Sequence, residues 1–257
     1  MKRKRLGFLL LAVVSHVLLF ACDYDPLLEA PASDSAVVGF TSVDLDANKA
    51  VVRAVEAPLG NLVADALAAA ARSSGVPADL ALMNGGGIRF NTESHPTGVF
   101  AAGVLTRGDV GEMLPFGNTI VVAEVTGQQL LLILERSVAA LPAAAGAFLQ
   151  VSRDLVVDID TAGAPQIVDT TTDPPAIVFA GERIRAVSYR GAAIAPGETL
   201  LVATNDFLAD GGDGYVAFRE IPAADKQRLN IDLKVALEAY LQESSPVSPA
   251  VEGRLLQ

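Results

Sequence analysis

The apolar residues of the chain recur with two periods, one typical of helices and one typical of strands. Positions spaced three and four apart predict amphipathic helices over 61–75, 126–141 and 230–243. Continuous or alternating apolar runs predict strands between them, at 79–83, 120–125, 148–152, 155–160, 183–189 and 199–205. Residues 161–175 are predicted to form the one long loop. This alternation of helices and strands predicts a mixed α/β protein of the α+β class.

Two helix starts carry the reciprocal side-chain pattern of a capping box. Thr106 is followed at the right spacing by Asp109, and Thr126 is followed in the same way by Gln129. The first pair predicts a short helix after residue 106, and the second pair predicts where the helix over 126–141 begins.

The N-terminus has the pattern of a bacterial export signal. Lys2–Arg5 are basic, and the apolar run that follows over 6–21 is too short for a comfortable transmembrane helix. Cys22, the only cysteine of the chain, comes directly after this run and resembles the lipidated cysteine of bacterial lipoproteins. We therefore predict a lipoprotein-type signal over 1–21, with Cys22 as a lipid anchor in the cell envelope. The alternative is an ordinary secreted protein with a stray cysteine.

The charge of the chain limits its partners. It has 19 basic and 30 acidic residues, and four of the basic ones lie in the predicted signal. Non-specific binding to nucleic acid requires a basic surface, so we expect no nucleic-acid partner. Any anionic ligand must be held by a few local arginines. Residues 22–50 are predicted to form a tether leading into the first strand, and 51–257 to form a single domain.

Two glycine clusters follow predicted strands. The first is NGGGIR, which begins at Asn84, and the second is NDFLADGGDGY, which begins at Asn205. Each is either a plain tight turn or a loop whose backbone must approach a ligand closely. Loops at strand ends are where α/β proteins usually build sites. The first cluster lacks the lysine of a phosphate-binding P-loop, so on its own it is a weak signal.

Two phenylalanines lie in glycine-flanked turns and not in periodic apolar stripes. Phe116 belongs to the segment LPFGN, and Phe207 belongs to the second glycine cluster. A single phenylalanine is usually a core residue. A pair of rings in such turns is more suggestive, because two rings can sandwich a flat base. Asp213 follows in the same cluster, where the glycines allow it to face the same cavity as Phe207.

Six segments together resemble one known family in order and spacing: LGNLVADAL, LMNGGGIRF, LTRGDVGEMLPFGN, GAFLQVS, NDFLADGGDGY and PAVEGR. The family is the C-terminal, nucleotide-recognition domain of the 5′-nucleotidases, and the resemblance covers 51–257. It implies a layered α/β/β/α fold with mixed sheets. It also implies a place among hydrolases of nucleotide catabolism.

The resemblance implies roles for individual residues. Phe116 and Phe207 correspond to the two rings that stack on either face of the base. Asp213 corresponds to the aspartate that accepts hydrogen bonds from the ribose hydroxyls, and Asn84 to an asparagine near the base and sugar.

Two arginines are assigned by the same resemblance. Arg89 corresponds to the arginine that faces the phosphate, and Arg53 corresponds to a second arginine of the site. One residue departs from the family pattern. Arg153 stands where the family usually has glycine, and we expect that it could narrow the sugar side of the pocket.

The full enzymes of this family hold two metals in an N-terminal domain with several histidines, aspartates and an asparagine. After the predicted signal this chain has one histidine, His95, which we interpret as a solvated loop residue. No G-x-S-x-G motif occurs. We therefore predict no catalytic residue, metal site or cofactor in this chain, and expect divalent metals only in a partner.

The sequence thus predicts an exported, lipid-anchored recognition domain that binds a nucleoside or nucleotide. Two versions remain open. In the first, a separate metallophosphatase chain docks and the pair hydrolyses nucleotides. In the second, the domain is a stand-alone binding module or scaffold without a catalytic role.

Overall fold

In the computed structural model, which describes residues 33–257, the strands assemble into two larger sheets and three two-stranded ribbons. The six predicted strands all lie in the two larger sheets, and the strands of the three ribbons were not predicted. Within this range the α-helices are α1 (Lys49–Val52), α2 (Pro58–Ser73), α3 (Arg107–Met113), α4 (Gly127–Val138), α5 (Asp206–Ala209), α6 (Val216–Arg219) and α7 (Leu233–Ser244). The strands are β1 (Val37–Thr41), β2 (Leu45–Asp46), β3 (Leu80–Asn84), β4 (Val99–Phe100), β5 (Gly103–Thr106), β6 (Thr119–Thr126), β7 (Leu149–Val151), β8 (Leu155–Ile159), β9 (Ile167–Asp169), β10 (Ala176–Phe179), β11 (Ile184–Tyr189), β12 (Ala192–Ala193), β13 (Thr199–Asn205), β14 (Lys226–Asp232) and β15 (Leu255–Leu256).

Both larger sheets are mixed. The five-stranded sheet has the order β14-β6-β13-β3-β7, in which β13 and β3 are parallel and the other neighbours are antiparallel. The four-stranded sheet has the order β12-β11-β8-β15, in which β15 runs parallel to β8. Mixed sheets combined with several helices confirm the predicted α+β class.

The five-stranded sheet separates two apolar cores, as β3 illustrates. Leu80 and Leu82 belong to the core that contains residues of α4, β7 and β8. Ala81 and Met83 belong to the core that contains residues of α2 and α7. Successive side chains of a strand point to opposite faces, so a fully apolar strand requires a cover on both sides. Burial of both faces of β3 therefore explains its continuous run of apolar residues.

Both predicted capping boxes are present. The Thr106 hydroxyl accepts from the Asp109 backbone N–H at the start of α3, and the Asp109 carboxylate accepts from the Thr106 backbone N–H. Thr126 and Gln129 make the same pair of bonds at the start of α4. Each box satisfies backbone donors that have no partner within the helix.

The last helix begins later than predicted. α7 starts at Leu233 because the Asp232 side chain caps it, accepting from the Lys234 backbone N–H at 2.8 Å. The residues before it form β14, which pairs with β6. The predicted long loop over 161–175 also differs, since it contains β9, which pairs with β10. Both differences arise from strand pairing between segments whose own patterns are too short to show it.

Strands β1 and β2 lie within the folded unit, which begins at Ser33, although the predicted tether covers them. β1 pairs with β5 and β2 pairs with β4, and Val38 and Leu45 are buried. The predicted signal over 1–21 and Cys22 lie outside the described residues. Within 33–257 we find no helix with the length and apolar character needed to cross a membrane.

Candidate functional site

A cleft of about 400 Å³ opens at one edge of the five-stranded sheet. It is lined by all six residues that the sequence singled out, namely Arg53, Asn84, Arg89, Phe116, Phe207 and Asp213. The remaining lining residues are Gly86, Gly87, Asn118 and Gly146. The structure therefore brings the predicted residues together, while their individual roles stay predictions.

The sheet explains how distant segments meet at this cleft. β13 and β3 are parallel neighbours, so both deliver their carboxyl ends to the same edge. β3 ends at Asn84, and β13 ends at Asn205, just before Phe207. β6 runs antiparallel to β13, with Ile120 opposite Asn205, so the turn before β6 reaches this edge as well. That turn carries Phe116.

The glycine run after β3 is explained by close backbone approach. The Gly86 backbone N–H donates to the Gly146 carbonyl at 2.8 Å, and a Cβ at Gly86 would lie 2.8 Å from that same oxygen. None of Gly85–Gly87 has a positive φ. The run is a short 3₁₀ turn that needs glycine because its neighbours leave no room for side chains.

A chain of polar side chains orients the carboxylate of Asp213. Asn205 Nδ2 donates to Asn84 Oδ1 at 3.0 Å, and Asn84 Nδ2 donates to Asp213 Oδ2 at 2.9 Å. The backbone of Asp213 is left-handed, with φ of 55°, and its carbonyl accepts from Arg136 Nε at 2.8 Å. A carboxylate can accept about four hydrogen bonds. Asp213 therefore keeps acceptor capacity for donors that enter the cleft.

Two guanidinium groups make another part of the cleft positive. The pKa of Arg89 is lowered by burial and by the nearby charge of Arg53, and the charge of Asp213 partly offsets these effects. Arginine stays protonated despite such shifts because its usual pKa lies far above neutral pH. The Nε atom of Arg53 is buried and has no hydrogen-bond partner among the described residues. Two cations with unused donors in one cleft are suited to an anion such as phosphate.

The loop that carries Arg53 is tightly held by the buried side chain of Gln150. Gln150 Nε2 donates to the carbonyls of Val52 and Val55 at 3.0 and 2.8 Å. Its Oε1 accepts from the Ala57 backbone N–H at 3.0 Å. These three bonds fix the backbone on both sides of Arg53.

The C-terminal tail holds the same loop from another side. The Glu56 carboxylate accepts from the backbone N–H groups of Glu252 and Arg254 at 2.6 and 2.7 Å. Arg254 itself is buried and forms an ion pair with Asp65. Gln257 Nε2 donates to the Ala54 carbonyl at 2.7 Å. Residues near the end of the chain thus help to position one wall of the cleft.

The two aromatic rings of the cleft are exposed. Phe116 is 49% exposed and Phe207 is 44% exposed, whereas Phe100, Phe148 and Phe218 are at most 1% exposed. The core interpretation therefore does not hold for either ring. The Arg89 guanidinium carbon lies 5.1 Å from the centroid of the Phe116 ring. The Phe207 ring lies against Gly212, where a Cβ would be 2.5 Å from the ring.

Sequence reasoning missed four residues that shape the cleft. Asn118 and Gly146 line it, Asn205 orients Asn84, and Asp206 accepts from Asn118 Nδ2 at 2.6 Å. Asn118, Asn205 and Asp206 all stand in segments that carried the family resemblance. The sequence signal that could have identified these three residues is that each is polar and lies within two positions of Phe116 or Phe207.

Arg153 does not line the cleft. Its side chain is 66% exposed and lies 3.8 Å from both Asp65 and Glu252 on the surface. The expectation that it narrows the sugar side of the pocket is therefore wrong. The backbone N–H of Arg153 also donates to Asp65 Oδ1, at 2.7 Å.

His95 is partly buried, where the sequence predicted a solvated residue. Its ring centroid lies 4.0 Å from that of Phe100, and its Nε2 lies 3.2 Å from Asp109 Oδ1 and 3.6 Å from Glu112 Oε2. Within residues 33–257, no group of three or more histidine, cysteine, aspartate or glutamate side chains is arranged to hold a metal ion.

The chain is similar to a known protein family. The family model described as "5'-nucleotidase, C-terminal domain" matches residues 37–220. The chain belongs to this family. The predicted family membership is thus confirmed, and the match begins at β1, before the boundary predicted from the motifs.

Three relatives illustrate the extent of the similarity. The trifunctional nucleotide phosphoesterase protein YfkN of Bacillus subtilis is 33% identical over 220 residues, covering 85% of this chain and 14% of YfkN. Protein UshA of Escherichia coli is 30% identical, covering 83% of this chain and 32% of UshA. A crystal structure of a 5′-nucleotidase precursor from Thermus thermophilus superposes with a TM-score of 0.72 at 32% identity, covering 86% of this chain and 39% of that one. The chain thus spans less than half the length of each.

Proposed function

We propose that this domain recognises a nucleoside or nucleotide in the cleft of the five-stranded sheet. One observation carries the proposal: a single cleft combines two exposed rings, a carboxylate with spare acceptor capacity and two guanidinium groups. These are the chemical complements of a base, a ribose and a phosphate. Phe116 and Phe207 stack on the base, Asp213 with Asn84 accepts from the ribose hydroxyls, and Arg53 and Arg89 face the phosphate.

The binding proposal is tested by calorimetry on residues 23–257 with adenosine, AMP and a UDP-sugar. We expect at least one of them to bind. The Asp213→Asn variant should bind ribosides more weakly than the wild type does, whereas its affinity for free adenine should equal that of the wild type. The variant loses a charged acceptor while keeping the shape of the side chain. Absence of binding by all three ligands at millimolar concentration would reject the proposal and leave an interaction scaffold as the function.

We further propose that the domain contributes to nucleotide hydrolysis together with a metallophosphatase domain supplied by another chain. The support is the similarity to YfkN of Bacillus subtilis, which is described as a trifunctional nucleotide phosphoesterase protein. We expect the purified chain to leave AMP intact with added manganese or zinc, and to raise AMP turnover when an exported metallophosphatase from the same organism is added. Turnover that co-elutes with the chain alone in gel filtration would contradict this division of labour.

We also propose that the chain is exported and that Cys22 carries lipid at the cell envelope. The support is the sequence pattern of 1–22. A palmitate analogue should label the wild type and leave Cys22→Ala unlabelled after expression in a bacterial host. Equal labelling of both proteins would eliminate the anchor.

A further inference from the structure

Asp206 connects the two segments that carry the exposed rings, namely the turn of Phe116 and the short helix α5 that contains Phe207. Its Oδ1 accepts from Asn118 Nδ2 at 2.6 Å and from the Phe207 backbone N–H at 2.9 Å. Its Oδ2 accepts from the Thr119 hydroxyl at 3.2 Å. One half-buried carboxylate thus binds the turn of Phe116 on one side and the first turn of α5, with Phe207, on the other.

The turn of Phe116 is exposed at Pro115, Phe116 and Gly117. The strand that follows, β6, begins only at Thr119. A Cβ at Gly117 would meet no atom within 4 Å, so this part of the turn lies in open space. The Asn118 carbonyl accepts from the Leu233 backbone N–H at 3.0 Å, which ties the turn to the body of the domain. The side-chain bond to Asp206 instead ties it to Phe207.

The chemistry of Asp206 makes this connection directional. A carboxylate only accepts hydrogen bonds, so the amide of Asn118 must turn its nitrogen toward Asp206. On the other side, Asp206 is the first residue of α5, whose start is fixed by Asn205 Oδ1 accepting from the Leu208 backbone N–H at 2.8 Å. The backbone of Asp206 is therefore held in place. Its carboxylate makes a charge-assisted hydrogen bond to the Phe116 turn, and such bonds are among the strongest in proteins.

We propose that Asp206 is a positioning residue for base recognition, which holds the Phe116 turn at the separation from Phe207 that a planar base requires. The inference rests on the proposed function and adds a residue to it that touches neither base nor sugar. Contact between flat groups is sensitive to separation, since a gap of about 0.5–1 Å forfeits a quarter to a half of the attraction. Loss of Asp206 should therefore weaken binding through Phe116.

A double-mutant cycle on AMP affinity tests this route. We expect Asp206→Ala to weaken AMP binding about fivefold to tenfold in the wild-type background, a part of the full value of one stacked ring. In a Phe116→Ala background the same change should alter affinity by less than about twofold, because the ring that Asp206 positions is gone. Asp206→Asn should restore most of the affinity, since an amide oxygen can still accept from Asn118 and Phe207. Asp160→Ala, which removes a surface carboxylate paired with Arg185, is the matched control and should bind as the wild type does.

The outcomes distinguish a failure of this inference from a failure of the proposed nucleotide binding. Equal losses in both backgrounds, or no loss in either, would overturn the role of Asp206 while leaving nucleotide binding intact. A wild type that binds no AMP would remove the proposed function and this inference together. Melting curves establish that each variant is folded, and Asp206→Ser replaces Asp206→Ala in the cycle if the alanine variant is not.

Discussion

The two ends of the cleft are built in different ways. At the arginine end, the loop of Arg53 is held by the buried Gln150, by Glu56 and by the C-terminal tail. At the aromatic end, the exposed Phe116 lies in a turn and the exposed Phe207 lies in the short helix α5, and Asp206 connects the two segments. A buried polar anchor contributes to stability as well as to position, whereas an exposed ring contributes little to stability. Substitutions among the residues that hold the arginine end should therefore lower the stability of the protein. Substitutions at the aromatic end should lower its affinity for the ligand.

The largest effect is expected at Gln150. Gln150→Leu keeps the volume of the side chain but removes the partners of three backbone groups of the Arg53 loop. Each buried polar group left without a partner costs about 1–3 kcal/mol, so the free energy of unfolding should fall by about 3 kcal/mol or more. Chemical denaturation measures it. Gln242→Leu on the exposed side of α7 is the control and should change stability little. A small loss at Gln150 would mean that the arginine end is not held as described.

A smaller effect with a defined pH dependence is expected at Glu56. Burial alone would raise the pKa of its carboxyl, but hydrogen bonds from the Glu252 backbone and the Asn61 side chain outweigh burial and lower it. A lowered pKa means that the carboxylate stabilises the fold above its unfolded value of about 4.3. That contribution disappears as the pH falls through the folded-state pKa.

Glu56→Gln should therefore cost about 2 kcal/mol of unfolding free energy at neutral pH, in the range for hydrogen bonds to a charged group. The difference from the wild type should shrink as the pH is lowered below 4. Denaturation curves across this range measure it, with the exposed Glu243→Gln as control. A difference that is constant with pH would show that the charge of Glu56 is not what holds the tail.

At the aromatic end we expect the opposite balance. Phe207→Ala should weaken AMP or adenosine binding by about 1–3 kcal/mol, the range for base–aromatic stacking. Its free energy of unfolding should change little, because the ring is 44% exposed. The matched control is Phe218→Ala, whose ring is fully buried and whose loss should cost about 3–5 kcal/mol of stability. Similar melting temperatures for the two variants would remove the contrast between the ends.

The smallest effect is expected at Arg153. Arg153→Gly removes only exposed ion pairs with long separations, which are worth about 0–1 kcal/mol. AMP affinity should stay unchanged because the side chain does not line the cleft. Calorimetry on this variant checks whether the family glycine at this position matters for binding. A clear gain in affinity would restore the view that Arg153 restricts the pocket.

Several features of the molecule could be predicted from local sequence. The apolar run of β3, the capping boxes of α3 and α4, and the placement of Phe116 in a turn all depend on neighbouring residues. Such features are encoded within one turn or one strand, where periodicity and side-chain chemistry act directly. Phe207 was also predicted in a turn, but it lies in the one-turn helix α5. The motif order then identified the family, and with it the set of residues that the cleft brings together.

Other features depended on tertiary structure because they join residues far apart in the chain. β1, β14 and β15 are short or weakly patterned, and their partners in the sheets lie far along the sequence. Gln150 reaches a loop almost a hundred residues away, so its local pattern is only that of a strand. In the sequence, Asp206 has only the pattern of an aspartate at the start of a helix, and its hydrogen bond to Asn118 is visible only in the structure. The sequence by itself determined six of the residues that line the cleft. Only the fold decided which polar groups hold them, because hydrogen-bond partners follow from three-dimensional proximity.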